Sequence, residues 1–172
     1  MDIDALLKDK VIKNKEKTET LASWLLDGKL KTEEWLAYAR QAKDPAKATC
    51  MEAMEFASKQ KPTVINQKCF EFVSDSLTAK APRIKWESAR VIGNVAKLFP
   101  SKLEVAVTNL LNNTEHPGTV VRWSAAGALG EILMLKTKLN KDLLPAIDAI
   151  CEREEKNSIK KIYAKALKMA SK

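Results

Sequence analysis

The sequence predicts an all-α fold, a right-handed α-solenoid of stacked helical hairpins (an α-α superhelix), on three observations. Apolar residues recur at i, i+3 and i+4 along the whole chain and never alternate for long, which favours helices over strands. Turn signals separate the helical stretches: Gly28, and the pairs Asp44-Pro45, Lys61-Pro62, Ala81-Pro82 and His116-Pro117. A proline fits the first turn of a helix and disfavours a helical residue before it. Finally, helix pairs recur at a period of about 40 residues, the repeat length of stacked helical hairpins.

In chain order, residues 1–44 read as N-terminal helices. "ETLASWLLDG" after Thr18 is a helix stopped by Gly28. Thr32 opens another, with Glu33 and Glu34 in its first turn, where acids suit the positive end of the helix dipole. Repeats follow over 45–80, 82–115 and 117–155, and 156–172 is a C-terminal capping helix of a single domain. The stretches "KWESARVIGNVAKL" and "RWSAAGALGEILML" align Lys85 with Arg122, Trp86 with Trp123, Ala89 with Ala126, Gly93 with Gly130 and Leu98 with Leu135. In the helices after them, Leu103, Ala106, Val107 and Leu110 correspond to Leu143, Ala146, Ile147 and Ile150. Gly127 and Gly130 lie inside a helix, where each costs ~1 kcal/mol relative to Ala. With Ala125, Ala126 and Ala128 they are expected to let neighbouring helices approach closely.

"PGTVVRWSAAGALGEIL" carries Pro117, Val121, Arg122, Ala125, Ala126, Ala128, Leu129 and Gly130 in the order Pro, Val-Arg, Ala-Ala, Ala-Leu-Gly. It resembles the first helix of a HEAT repeat, so the chain is similar to HEAT/armadillo-like solenoids. The resemblance implies a fold more than a function.

Composition narrows the function classes. The chain has 172 residues, 45% hydrophobic and 30% charged, with a formal charge of +8. Six lysines and no acid lie between Lys156 and Lys172, so basicity is mainly a C-terminal property and argues weakly for nucleic acid. No run reaches the ~18 apolar residues of a membrane span, and Asp2 and Asp4 do not suit a secretory signal. Cys50, Cys69 and Cys151 are odd in number and lack close spacing, so reduced thiols and a cytoplasmic location are expected. Neither a cofactor nor a metal site is expected: His116 stands alone, and no glycine-rich loop joins a strand to a helix.

In HEAT-like solenoids the second helix of each repeat lines the concave, partner-binding surface. That resemblance, with helical spacing, selects Gln67, Phe70, Glu71 and Ser74 in the first repeat. Val105, Thr108, Asn109 and Asn112 follow in the next, then Pro145, Asp148, Ala149 and Glu152. This ladder contains no Lys or Arg and has Phe70 and Val105 exposed, which suits a protein or peptide partner better than a phosphate backbone. The expected function is a non-enzymatic protein-binding scaffold. Trp86 and Trp123 are expected to pack between repeats, with stacking of Trp86 on Arg90 as an alternative. A second candidate surface is the basic strip Lys161, Lys165, Lys168 and Lys172, which would take an acidic partner or nucleic acid, or only solubilise the terminal repeat. Some alkylpurine DNA glycosylases are built from HEAT-like repeats and use aromatic residues with a carboxylate. Trp86 with Glu87, and Trp123 with Arg122, distantly resemble such residues and form the enzymatic alternative.

Overall fold

Local chemistry sets the helix boundaries. In the computed structural model, which describes residues 1–172, α1 spans Ile3–Lys8, α2 Asn14–Leu26, α3 Thr32–Gln41, α4 Asp44–Gln60 and α5 Gln67–Ser76. Then come α6 Pro82–Val95, α7 Glu104–Asn113, α8 Thr119–Met134, α9 Asn140–Arg153 and α10 Asn157–Ala170. There are no strands. The Asn66 side chain accepts the Cys69 N–H at 3.0 Å and caps α5. Glu34 accepts the backbone N–H of Lys31 at 2.9 Å and anchors the start of α3. Pro45 and Pro82 occupy first turns, as their fixed φ favours. Gly28, at φ 69, reverses the chain after α2 in a region closed to most side chains. The helix expected after Thr18 begins earlier, at Asn14. Thr18 lies inside it, and its hydroxyl donates to Glu52 of α4 at 2.9 Å.

The helices form two layers. In one, α2, α4, α6, α8 and α10 stack in sequence; α3, α5, α7 and α9 lie behind them. Within a hairpin, α5 packs more extensively on α6, and α7 on α8, than α6 does on α7 or α8 on α9. One continuous core runs through the stack, from Leu21 and Trp35 through Met54, Ile92 and Leu129 to Tyr163.

Small residues set the spacing of the first layer. A Cβ on Gly93 would lie 3.5 Å from the Ala128 Cα, and one on Gly130 would lie 3.3 Å from the Ala166 Cβ. These glycines therefore permit close helix approach, as expected. Gly127 does not share that role: a Cβ there would meet nothing within 4 Å. The even-numbered layer is the more closely packed of the two. When two connected layers stack with unequal spacing, the stack bends towards the tighter one. The inside of the bend is thus lined by α4, α6, α8 and α10, of which α6 and α8 carry the Trp/Gly repeat motif.

Polar ties hold the turns between layers. Lys85 donates to the Leu77 carbonyl at 3.2 Å and to Asn113 Oδ1 at 3.0 Å. Its repeat equivalent, Arg122, donates to the carbonyls of His116 and Pro117 and pairs with Glu154 at 3.2 Å. The two aligned basic positions thus do the same work, fastening the chain turn that precedes their own helix.

Candidate functional site

The expected ladder lies on the outer layer, and the structure treats its members differently. Phe70 is a correction: it is fully buried and stacks on Phe99, with ring centroids 4.6 Å apart. Phe99 follows a 3-10 turn after α6 and folds over α5, a contact that helical periodicity in α5 does not reveal. Ser74 is buried too, and donates back to the Phe70 carbonyl at 2.8 Å. Asn109 is half-buried, donating to the Ser74 carbonyl at 2.9 Å, so it ties α7 to α5. Gln67 donates to Glu71 on its own helix, and Thr108 to the Glu104 carbonyl. Glu71, Val105, Asn112, Asp148 and Glu152 are exposed. Of these, Glu71 and Val105 meet across a 480 Å³ crevice between α5 and α7 that also holds Asp75 and Glu104.

On the inner layer the outward stripes fall into register. Glu55 and Lys59 of α4, Arg90 and Asn94 of α6, and Trp123, Gly127 and Glu131 of α8 lie along one surface. A groove of 410 Å³ runs over this register, lined among others by Glu55, Arg90, Asn94, Trp123 and Gly127. A 230 Å³ notch between α8 and α10 adjoins it and shares Gly127, Glu131 and Ile162. Trp123 was expected to pack between repeats; instead it is 45% exposed beside the groove. Phe56, on the α4 stripe between Glu52 and Lys59, is exposed as well, and Trp86 is half-buried.

At the groove lies an ionic network built on two buried carboxylates, Glu55 and Glu87. Arg83 pairs with Glu52 at 2.5 Å, and Glu52 also accepts from Thr18, linking α2, α4 and α6. Arg90 pairs with Glu55 at 3.4 Å and Glu87 at 3.9 Å. The stacking of Trp86 on Arg90 gives way to these pairings, and the Trp86 indole N–H donates to Glu87 Oε1 at 3.0 Å. Two buried carboxylates therefore share one guanidinium, and Glu87 Oε2 accepts no hydrogen bond. Burial pushes the Glu87 carboxyl above the usual carboxylate range, outweighing the Trp86 hydrogen bond and Arg90. Ser124, the repeat counterpart of Glu87, lines the groove with a buried hydroxyl that has no partner.

Other chemistry is sparse. Burial pushes the Cys50 and Cys69 thiols up to about 12, which disfavours the thiolate a nucleophile needs. No group of three or more His, Cys, Asp or Glu is placed to hold a metal ion. His116 Nδ1 accepts the Gly118 N–H at 2.9 Å and shapes its loop. Lys161, Lys165 and Lys168 on α10, and Lys172 just past its end, are all exposed. No helix is long and apolar enough to cross a membrane.

No family model matches the chain, and no curated protein matches it. Solved structures do. A designed armadillo repeat protein aligns with a TM-score of 0.76 at 15% identity, over 98% of this chain and 80% of its own. Another, in complex with peptide (KR)4, aligns with a TM-score of 0.77 at 15% identity, over 98% and 80%. The complex of CpcE and CpcF of phycocyanin lyase from Nostoc sp. PCC7120 aligns with a TM-score of 0.72 at 14% identity, over 95% of this chain and 96% of that one. At these identities the likeness is one of fold: an all-helical repeat solenoid of the armadillo/HEAT kind.

Proposed function

We propose that this armadillo/HEAT-like solenoid is a binding scaffold whose ligand is a polypeptide lying in the inner groove over α4, α6, α8 and α10. The observation that carries the reading is Trp123, a large aromatic left half in solvent beside a groove floored by Gly127 and Ala128. Aromatic residues exposed next to a concave surface are the usual anchors of a protein interface. Phe56 and Trp86 extend the aromatic character to two neighbouring helices. A structural neighbour of the same fold is a complex with a peptide, which supports the class of ligand. The groove mixes Glu55 and Glu131 with Lys59 and Arg90 and is not a basic cleft, so a phosphate backbone suits it poorly. Selection of random displayed peptides on the full chain tests the reading. Peptides should be selected that lose affinity for Trp123→Ala; recovery of none, or of peptides indifferent to Trp123, would refute it.

A second reading, nucleic-acid binding, draws on the strip Lys161, Lys165, Lys168 and Lys172, whose ammonium groups pair with no acid of the chain. It requires a mobility shift that weakens steeply with salt and disappears when these four lysines become glutamine. The enzymatic alternative requires release of a base from alkylated DNA that depends on Glu87.

A further inference from the structure

The charge of the chain is not spread evenly over the fold. The turns that follow α2, α4, α6 and α8 share one edge of the stack with the end of α10. Thr32 donates to the Val64 carbonyl at 2.8 Å and joins the first two turns. Asn94 donates to Ser58 Oγ at 3.1 Å near the ends of α6 and α4, and Gly130, near the end of α8, meets Ala166 of α10. Lys138, after α8, pairs with Glu104, at the start of α7, at 3.6 Å. Each helix end brings two lysines: Lys29 and Lys31, then Lys59 and Lys61, then Lys97 and Lys102. Lys136 and Lys138 follow α8, and Lys168 and Lys172 close α10. All ten are exposed. Only two acids, Asp27 and Glu104, lie in the same segments (27–31, 59–66, 96–104, 135–139 and 168–172), and they pair with Lys29 and Lys138. The next acids along, Glu33 and Glu34, accept from Asn66 and from the Lys31 N–H. Ten lysines against two acids leave a surplus of eight, equal to the formal charge of the whole chain, +8. The turns of the opposite edge, 41–44, 77–81, 114–118 and 153–156, balance four cations with four acids.

The fold does not account for this edge. Lysine at a helix C-terminus complements the dipole, but α3, α5, α7 and α9 begin here too and present their positive ends. Eight of the ten lysines pair with no acid of the chain. We infer that the lysine edge is a docking surface for an anionic lipid bilayer, on which the helices stand end-on. Three features select a bilayer over a nucleic acid. Every cation of the edge is lysine. A layer of anionic head groups needs only a cluster of charge, whereas arginine is the residue favoured for gripping a phosphate in two places. Leu98 and Met169 are 39% and 44% exposed at the same edge. Apolar side chains and lysine stems dip between head groups, while a phosphate backbone offers them no partner. Lastly, packed helices stand about 8–10 Å apart, so five helix ends form a row roughly 40 Å long. A duplex strand winds past such a row about once, because its turn is ~34 Å. Head groups move laterally and reach every helix end. The bend of the stack turns about an axis parallel to the helices, so it does not lift these ends out of one plane.

The test is co-sedimentation of the full chain with vesicles of phosphatidylcholine, alone or with roughly 30% phosphatidylserine. The anionic vesicles should capture the chain at least about tenfold more tightly, and less so as salt rises. A variant carrying Lys61→Gln, Lys97→Gln, Lys102→Gln and Lys136→Gln changes only exposed side chains and should bind about tenfold or more weakly. A second variant, with Lys10→Gln, Lys43→Gln, Lys80→Gln and Lys156→Gln, makes the same change of charge away from the edge. It should alter capture by less than about threefold. Equal losses in the two variants would show a response to net charge alone and overturn the inference, as would equal capture by both kinds of vesicle. Binding of a mixed-sequence DNA duplex in place of the vesicles, lost with the edge lysines, would assign the edge to nucleic acid and overturn it too. Trp123→Ala should leave vesicle capture unchanged, which separates the edge from the polypeptide reading of the groove. A loss of capture in that variant would place the contact in the groove and overturn the inference.

Discussion

Gly127 and Gly130 stand three residues apart in one helix and answer opposite steric tests. At Gly127 a methyl group enters open space; at Gly130 it comes within 3.3 Å of the Ala166 Cβ. Gly127→Ala should therefore recover most of the propensity difference, about 1 kcal/mol, and raise the melting temperature by roughly 2–4 °C. Gly130→Ala should gain less or lose, because α10 must give way. Equal gains by calorimetry would show that α8 and α10 are not held apart by that contact. The sequence makes both glycines visible but not their difference, which depends on which side of α8 meets α10. Glu87 offers a second test at this scale. Its folded-state pKa is raised, so folding favours its protonated form. The contribution of Glu87 to stability is thus highest in acid and falls as pH rises from the ordinary glutamate value through the raised one; the penalty is complete above that. Glu87→Gln keeps an acceptor for Trp86 and leaves Arg90 with Glu55. It should stabilise the fold by ~1 kcal/mol at neutral pH and by almost nothing in acid below the ordinary glutamate value. A gain independent of pH would contradict the buried-charge account.

Between elements, the decisive ties are the basic residues at the helix starts. Arg122 joins α8 to Glu154 beyond α9 and holds two loop carbonyls, while burial leaves Glu154 only 6% exposed at its side chain. Burial alone raises the Glu154 pKa. The Lys156 N–H and Arg122 outweigh it, and the net shift is downward, so this interaction stabilises above the ordinary glutamate range and is lost as pH falls through the folded value. Arg122→Met should cost about 2–3 kcal/mol at neutral pH, less in acid, and raise the Glu154 pKa in a carboxyl NMR titration. The repeat alignment shows Lys85 and Arg122 as equivalent but not what they hold, because their partners lie in turns with no regular spacing. The same limit bears on the choice of the ladder. A period gives two helices per repeat in either phase, and layer spacing decides which helix faces inward. Phe70 looked exposed because its cover, Phe99, comes from a turn, and Trp123 looked buried because α8 is apolar on all its other sides.

At the scale of the molecule, a solenoid lacks contacts between distant repeats, so its stability should be divisible along its length. The sequence makes this architecture legible through the period alone. In the structure α10 packs on α8 and α9, burying Ile159, Tyr163 and Ala166, and meets none of α2, α4 and α6 as extensively. A fully buried side chain of this size contributes about 1.5–3 kcal/mol, so loss of the helix removes a large part of a domain's usual 5–15 kcal/mol. The loss should nevertheless be local. A chain ending at Glu155 should show faster amide exchange in α8 and α9 and bind a hydrophobic dye at the exposed face around Gly130, while α2 and α4 keep most of their protection. The inner groove should fail with it, because Ile162 forms the α10 wall of the groove and of the adjoining notch. Uniform acceleration of exchange from α2 to α9 would instead show that the stack folds as one cooperative unit. Binding in the groove could then stiffen the whole chain rather than its last two hairpins.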